Sequence, residues 1–173
     1  MQIEHLDATR AWVVLPQLID ILEDAVASGA SIGFVPPLAA NEARAYWEAV
    51  IADVAAGHRL VLVATVDGVI CGTIQLDLTQ RANGRHRAEI QKLLVHTAAR
   101  RRGIGRALLA AVEAAALAAG RRLLVLDTRQ GDPAEQLYRS AGYQVVGVIP
   151  YYAANADGTL DPTVLYYRWF AEM

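Results

Sequence analysis

The sequence predicts a mixed α/β fold, a mostly antiparallel sheet flanked by helices, and three observations lead there. The first half holds apolar strand-like runs in hairpin succession, punctuated by the turn pairs Asp67-Gly68 and Asn83-Gly84. One long helical repeat (Ile104, Leu108, Val112, Ala115, Ala119) lies between two apolar runs, the pattern of a strand-helix-strand crossover. No linker or internal repeat divides the 173 residues, so a single domain spanning residues 1–173 is expected.

In chain order, Ile3 to Leu6 reads as a short first strand. Leu15 to Ala27 reads as a helix, because Leu18, Ile21, Leu22 and Ala25 share one face, Pro16 suits a first turn and Gly29 follows its end. The stretch Gly29 to Pro37 is too rich in glycine and proline to continue it, and a second helix runs from about Asn41 to Ala56. Arg59 to Val66, Val69 to Leu78 and Ala88 to Val95 read as three antiparallel strands. The central helix ends near Gly120, and the unbroken apolar content of Leu123 to Asp127 marks a buried strand. A short helix from Pro133 through Ser140 follows, capped by Gly142. Tyr143 to Ile149 and Val164 to Phe170 complete the sheet around a polar loop from Tyr151 to Pro162.

Composition excludes several functions. With 54% hydrophobic residues, disorder is not a contender. A formal charge of −2 and a pI near 6.1 argue against nucleic acid as the main partner. No apolar run reaches membrane-spanning length, and the N-terminus lacks the basic start of a signal peptide. The four histidines show no metal-ligand spacing, so no metal is expected. Cys71 stands alone inside an apolar strand, which fits a small buried residue and a cytoplasmic setting.

Basic residues nevertheless cluster, most densely in Arg100-Arg101-Arg102-Gly103-Ile104-Gly105-Arg106, between a strand and the central helix. Glycines at a helix start let a bulky ligand approach the backbone, and the first helical amides have no internal partner. Together with the positive end of the helix dipole, they suit a phosphate or pyrophosphate. The Walker pattern is absent, and Leu108 stands where a dinucleotide fingerprint needs its third glycine. The competing reading is a basic surface turn with a helix cap.

The spacing Arg100-x-x-Gly103-x-Gly105 resembles the acetyl-coenzyme A signature of the GCN5-related N-acetyltransferases (GNAT). Ala134 to Tyr143 resembles their second motif, in which a tyrosine on a short helix faces the coenzyme sulfur; here that is Tyr138. The element order is similar to that fold over the full length. Five stretches, Gly29 to Phe34, Asn83-Gly84, Arg87 to Leu93, Leu126 to Thr128 and Asp157 to Thr163, resemble the tabtoxin-resistance acetyltransferases, which acetylate the amino group of a toxic β-lactam amino acid. Thr97 and Arg101 depart from the pattern, standing where proline and glycine are common.

The resemblance implies acetyl-coenzyme A as co-substrate, bound by Arg100, Arg101, Arg102, Gly103, Ile104, Gly105 and Arg106. The backbone of Leu93, Leu94 and Val95 would hold the pantetheine arm as an added strand. Acyl transfer from a thioester to an amine also needs a base, because an aliphatic amine is mostly protonated near neutral pH. Glu89 opens the strand leading into the loop, and alternation places Glu89, Gln91 and Leu93 on one face. Its bland alternative is an ion pair with Arg87 or Lys92. Asp127, ending the neighbouring strand, is the rival base or a turn cap with Thr128. Tyr138 would donate a proton to the departing thiolate, or else serve the core. Ser31 and Phe34 in the linker, and Tyr151, Tyr152, Asn155 and Asp157 in the late loop, are expected to flank the acceptor. The expected partner is a small-molecule amine, with an amino-acid-like toxin or antibiotic as its class; a protein amine and a non-catalytic acyl-coenzyme A sensor are the alternatives. A homodimer is left open.

Overall fold

A computed structural model describes residues 1–171. Its sheet has seven strands in the order β1-β2-β3-β4-β5-β7-β6: β1 (Gln2–Leu6), β2 (Arg59–Val66), β3 (Val69–Leu78), β4 (Arg87–Val95), β5 (Leu123–Arg129), β6 (Gln144–Ala154) and β7 (Leu160–Trp169). Every pairing is antiparallel except β4 with β5, the pair joined by the long helical crossover. The helices are α1 (Ala8–Val13), α2 (Leu15–Ala27), α3 (Ala40–Ala55), α4 (Ile104–Ala118) and α5 (Ala134–Ser140).

Strand alternation sorts the core into two clusters. Leu62 and Ala64 of β2 and Ile74, Leu76 and Leu78 of β3 join Ile104, Leu108, Leu109, Val112 and Ala116 of α4. Val61 and Val63 join Leu18, Ile21, Leu22 and Val26 of α2 and Trp47, Val50 and Ile51 of α3. The sheet is therefore covered on both sides, α4 and α5 on one face and α1 to α3 on the other. Gly72 lets α4 lie close: a Cβ there would stand 3.0 Å from Ile104 Cγ2, 3.0 Å from Leu108 Cδ1 and 3.1 Å from the Leu94 carbonyl. Cys71 is buried, its thiol donating to the Ala64 carbonyl at 3.2 Å, as a small core residue should.

Three features differ from the sequence expectation. α1 is additional; at six residues it is too short for periodicity to show, and Asp7 caps it by accepting from the Arg10 amide at 2.7 Å. β6 and β7 reach Ala154 and back to Leu160, so the expected loop from Tyr151 to Pro162 shrinks to a hairpin tip. That tip is closed by Asn155, Asp157 and Thr159, with Asp157 accepting from the Thr159 amide at 2.9 Å and hydroxyl at 2.6 Å. β6 also carries two extra residues, since Thr163↔Ile149 and Asp161↔Ala153 bracket a register shift at Tyr151, whose φ is 57°. Among the described residues no helix is long and apolar enough to cross a membrane, and no group of His, Cys, Asp or Glu is arranged to hold a metal.

Candidate active site

β4 bends out of the ladder at Lys92. Its register runs Gln75↔Gln91 and then Thr73↔Leu94, so Lys92 and Leu93 oppose a single residue of β3, and Lys92 takes a left-handed φ of 48°. The bulge reverses the side-chain phase. Ala88 and Ile90 before it and Leu93 and Val95 after it all pack on the α4 side. The expectation that Glu89, Gln91 and Leu93 share a face therefore fails at Leu93: Glu89 and Gln91 keep one side, hydrogen-bonded at 3.0 Å, and Leu93 lies on the other.

The bend also parts β4 from β5, whose register with it ends at Glu89↔Val125 while β5 continues along β7 to Arg129↔Thr163. Beyond Glu89, the β4 backbone edge toward β5 has no strand partner, as an added extended ligand would require. At the far end of this gap the chain turns through Thr97–Ala99 into the basic loop. Arg101 adopts φ 62° and Gly103 φ 80°, and α4 starts on Gly103 with no side-chain cap. The first helical bond of α4 is donated by Ala107 to the Gly103 carbonyl at 3.1 Å. The amides of Ile104, Gly105 and Arg106 therefore face outward beside exposed Arg101, Arg102 and Arg106. This donor set fits a pyrophosphate. Arg100 differs: its guanidinium is engaged by the Val95 carbonyl at 3.0 Å and Ser28 Oγ at 2.8 Å, which ties the loop to α2.

α5 lies against the start of α4, where Leu137 Cδ2 is 3.6 Å from the Cβ position of Gly105. On it, Tyr138 is 6% exposed, its ring edge-on to Tyr143 at 5.9 Å and tilted to Tyr166 at 6.0 Å. Tyr138 is thus a core residue, and its hydroxyl makes no hydrogen bond among the described residues. Burial, then the carboxylates of Asp132 and Asp127, push its pKa well above the ordinary phenol value.

The carboxylates sit in different surroundings. Glu89 is exposed and forms no ion pair among the described residues, so the pairing with Arg87 or Lys92 is not made. Asp127 accepts from Thr163 Oγ1 at 2.8 Å, and the same hydroxyl lies 2.9 Å from the Thr128 carbonyl; its one proton serves one acceptor at a time. Glu89 pairs with Val125, two residues before Asp127 on the neighbouring strand, and Lys92 follows Glu89 on β4, so strand alternation sets the two carboxylates on the same side of the gap, next to Lys92.

Sequence reasoning missed a polar stripe on the α3 side of the sheet. Arg59 Nη1 donates to Gln75 Oε1 at 2.7 Å and to Gln91 Oε1 at 3.0 Å, and Nη2 donates to Asp77 at 2.8 Å. Tyr46 of α3 donates to the same Gln75 oxygen at 3.0 Å, and burial pushes its hydroxyl pKa up to about 12. Gln75 is fully buried, and its Nε2 has no hydrogen-bond partner among the described residues. The available signal was a glutamine and an arginine within otherwise apolar strands. The linker closes this side: Phe34 packs edge-on against Tyr46 at 5.3 Å, and Ser31 lies half-buried nearby in sequence. Tyr151 and Tyr152 lie on β6, at the level where β5 ends, and are 77% and 53% exposed. The Asp157 carboxylate is spent within the hairpin tip.

Residues 57–145 match the acetyltransferase (GNAT) domain family. The chain is 37% identical over 130 residues to an uncharacterized N-acetyltransferase from the hisH-hisA intergenic region of Azospirillum brasilense, covering 74% of this chain and 75% of that one. Among solved structures it is similar to a ribosomal-protein-alanine N-acetyltransferase from Brucella melitensis, with TM-score 0.81, 24% identity and 98% and 100% of the two chains covered. It is also similar to yncA, a putative acetyltransferase from Salmonella typhimurium solved with acetyl-CoA, with TM-score 0.78, 22% identity and 100% and 95% covered.

Proposed function

The chain belongs to the GNAT acetyltransferase family, and from that premise we propose that it moves the acetyl group of acetyl-coenzyme A to a primary amine of a small, amino-acid-like molecule. The observation that carries this reading is the gap between β4 and β5, with carboxylates at one side and Tyr138 buried at the other. The outward amides of Ile104 to Arg106, with Arg101, Arg102 and Arg106, hold the pyrophosphate. The free β4 edge at Leu93 to Val95 takes the pantetheine arm, and an amide there polarises the thioester carbonyl.

Glu89 takes the proton of the incoming ammonium, directly or through water, with Asp127 as the rival base. The amine nitrogen then bonds to the carbonyl carbon as the carbon–sulfur bond breaks, the Tyr138 hydroxyl gives its proton to the leaving sulfur, and the second proton lost by the nitrogen returns through solvent to restore that hydroxyl. A raised pKa keeps that proton in place at neutral pH, which an acid needs. Ser31 and Phe34 on the linker side, with Tyr151, Tyr152 and Asp157 of the hairpin, border the acceptor. The resemblance to tabtoxin-resistance enzymes from Gly29 to Thr163 supports an amino-acid-like toxin or antibiotic as that acceptor.

One observation favours a second reading. The exposed hairpin leaves the acceptor side open, and an open groove also admits a peptide amine. A thiol-release assay with acetyl-coenzyme A over free amino acids, their β-lactam analogues, simple amines and peptides separates the two. Acetylation of free amino acids or their analogues supports the proposal; activity on peptides alone overturns it, and no thiol release with any amine points to a coenzyme sensor.

A further inference from the structure

Resting on the small-amine reading above, we propose that Lys92 receives a carboxylate of the acceptor, so that the site selects amines carrying an acid group a few bonds from the nitrogen. The β4 bulge is what delivers this side chain. By turning Lys92 out of the ladder at φ 48°, it sends the ammonium across the α3 face to the linker, 3.9 Å from the Cβ position of Gly33. There it lies over the Tyr46 ring at 5.7 Å, beside Phe34.

Among the described residues this half-buried ammonium has no hydrogen bond and no ion pair; the ring is its one partner. Its neighbour Arg59 already has carboxylate partners, Asp53 at 3.4 Å and Asp77 at 2.8 Å, and donates to the amide oxygens of Gln75 and Gln91. A cation withdrawn from water without a counter-ion is costly, and an arriving carboxylate supplies one. Burial, and then Arg59, lower the Lys92 pKa, while Asp127 and Glu89 act in the opposite sense. Those two carboxylates are the candidate bases. The cleft therefore offers negative groups to an ammonium and one unpaired positive group within the same span. That is the charge pattern complementary to an amino acid, whose amine would face Glu89 or Asp127 while its carboxylate faces Lys92.

The test compares each L-amino acid of a panel with its carboxamide and its decarboxylated amine, on wild type and on Lys92→Met. In wild type the acid should exceed both partners in kcat/KM by about 10- to 100-fold, the range for a hydrogen bond to a charged group. In Lys92→Met the acid-to-amide ratio should fall toward one. The ratio is internal to each protein, so partial misfolding of the variant does not imitate the result. In parallel, reductive methylation of Lys92 in the coenzyme-bound wild type is followed by mass spectrometry with acid or amide present. Shielding by the acid alone is expected. If no amine of the panel is acetylated yet acids still shield Lys92, the small-amine function falls and the carboxylate site stands. Equal kcat/KM for acid and amide in wild type, an unaltered ratio in the variant, or shielding that ignores the carboxylate overturns the assignment.

Discussion

Asp24 of α2 accepts both hydrogen bonds that Thr97 can give, from its amide at 2.8 Å and its hydroxyl at 2.6 Å. His96, the neighbouring residue, lies 3.7 Å from Asp24 and 3.7 Å from Asp20. Arg100 reaches Ser28 from the same turn. The turn that sets the basic loop is thereby anchored to the C-terminal end of α2, the end that leads into the Gly29 to Pro37 linker. A proline in place of Thr97 would have no amide proton to give Asp24.

The anchor should be measurable. Thr97→Pro should lose about 1–2 kcal/mol of unfolding free energy through the missing amide bond, and Thr97→Val less, because it loses only the hydroxyl. Asp24→Ala should cost at least as much as Thr97→Pro and weaken coenzyme binding, as the loop loses its tie. Denaturant melts and calorimetric titration with coenzyme A read both. Wild-type stability in Asp24→Ala would show that the contact carries no energy.

Arg101 is an arginine in a left-handed conformation, at φ 62°. A non-glycine residue there costs roughly 1–2 kcal/mol, which glycine avoids. Arg101→Gly should therefore raise Tm by about 2–4 °C for a chain of this size. It also removes an exposed cation beside the proposed pyrophosphate site, so coenzyme affinity should fall a few-fold and the fall should shrink in high salt. A lower Tm would mean that the arginine side chain stabilises the loop by more than its backbone strain.

Much of this was legible in the sequence, because periodicity and turn pairs report burial directly. The hairpin at Asp67-Gly68 and the Ile104, Leu108 and Val112 stripe of α4 are such cases, whereas Ala119, expected on that stripe, is the exposed residue that ends the helix. The bulge at Lys92 was not legible, since it uses a lysine rather than a glycine and depends on tertiary register. That one residue decided the face of Leu93, the opening of the β4–β5 gap and the position of the ammonium. The extra turn at Ala8–Val13 and the long β6–β7 arms escaped because short helices and polar strands carry weak patterns. The buried Arg59–Gln75–Tyr46 contacts link residues far apart in sequence, which no local pattern reveals.

Tyr138→Phe should lower turnover by about 10²-fold with coenzyme affinity kept, provided chemistry limits the rate. Because burial raises the phenol pKa above its ordinary value of 10.0, the group stays protonated through that pH, and the wild-type rate should show no loss from its ionisation below about pH 10. The same shift has a stability sign. The folded chain keeps a proton that the unfolded chain sheds, so Tyr138 should contribute to a decline in stability as pH rises above about 10, absent in Tyr138→Phe. Unaltered turnover in single-turnover kinetics would return Tyr138 to the core alone.

The base is decided by comparing Glu89→Gln with Asp127→Asn across pH. Glu89 is exposed, accepts from Gln91 at 3.0 Å and forms no ion pair among the described residues, so its carboxylate is open to an incoming amine. Asp127 already accepts from Thr163 at 2.8 Å, a bond that occupies one of its carboxylate oxygens. If Glu89 is the base, Glu89→Gln should slow acetylation most near neutral pH, where little free amine exists. The deficit should shrink as pH approaches the pKa of the amine, because solvent then supplies the deprotonated form. A carboxylate that merely binds the ammonium behaves differently: its loss raises KM and leaves turnover largely intact. Asp127→Asn should show the weaker, pH-independent effect expected of a positioning group that also steadies Thr163. A pH-dependent deficit in Asp127→Asn, with a flat one in Glu89→Gln, would exchange the two roles. A double variant no slower than either single one would indicate that both act on the same proton through one water.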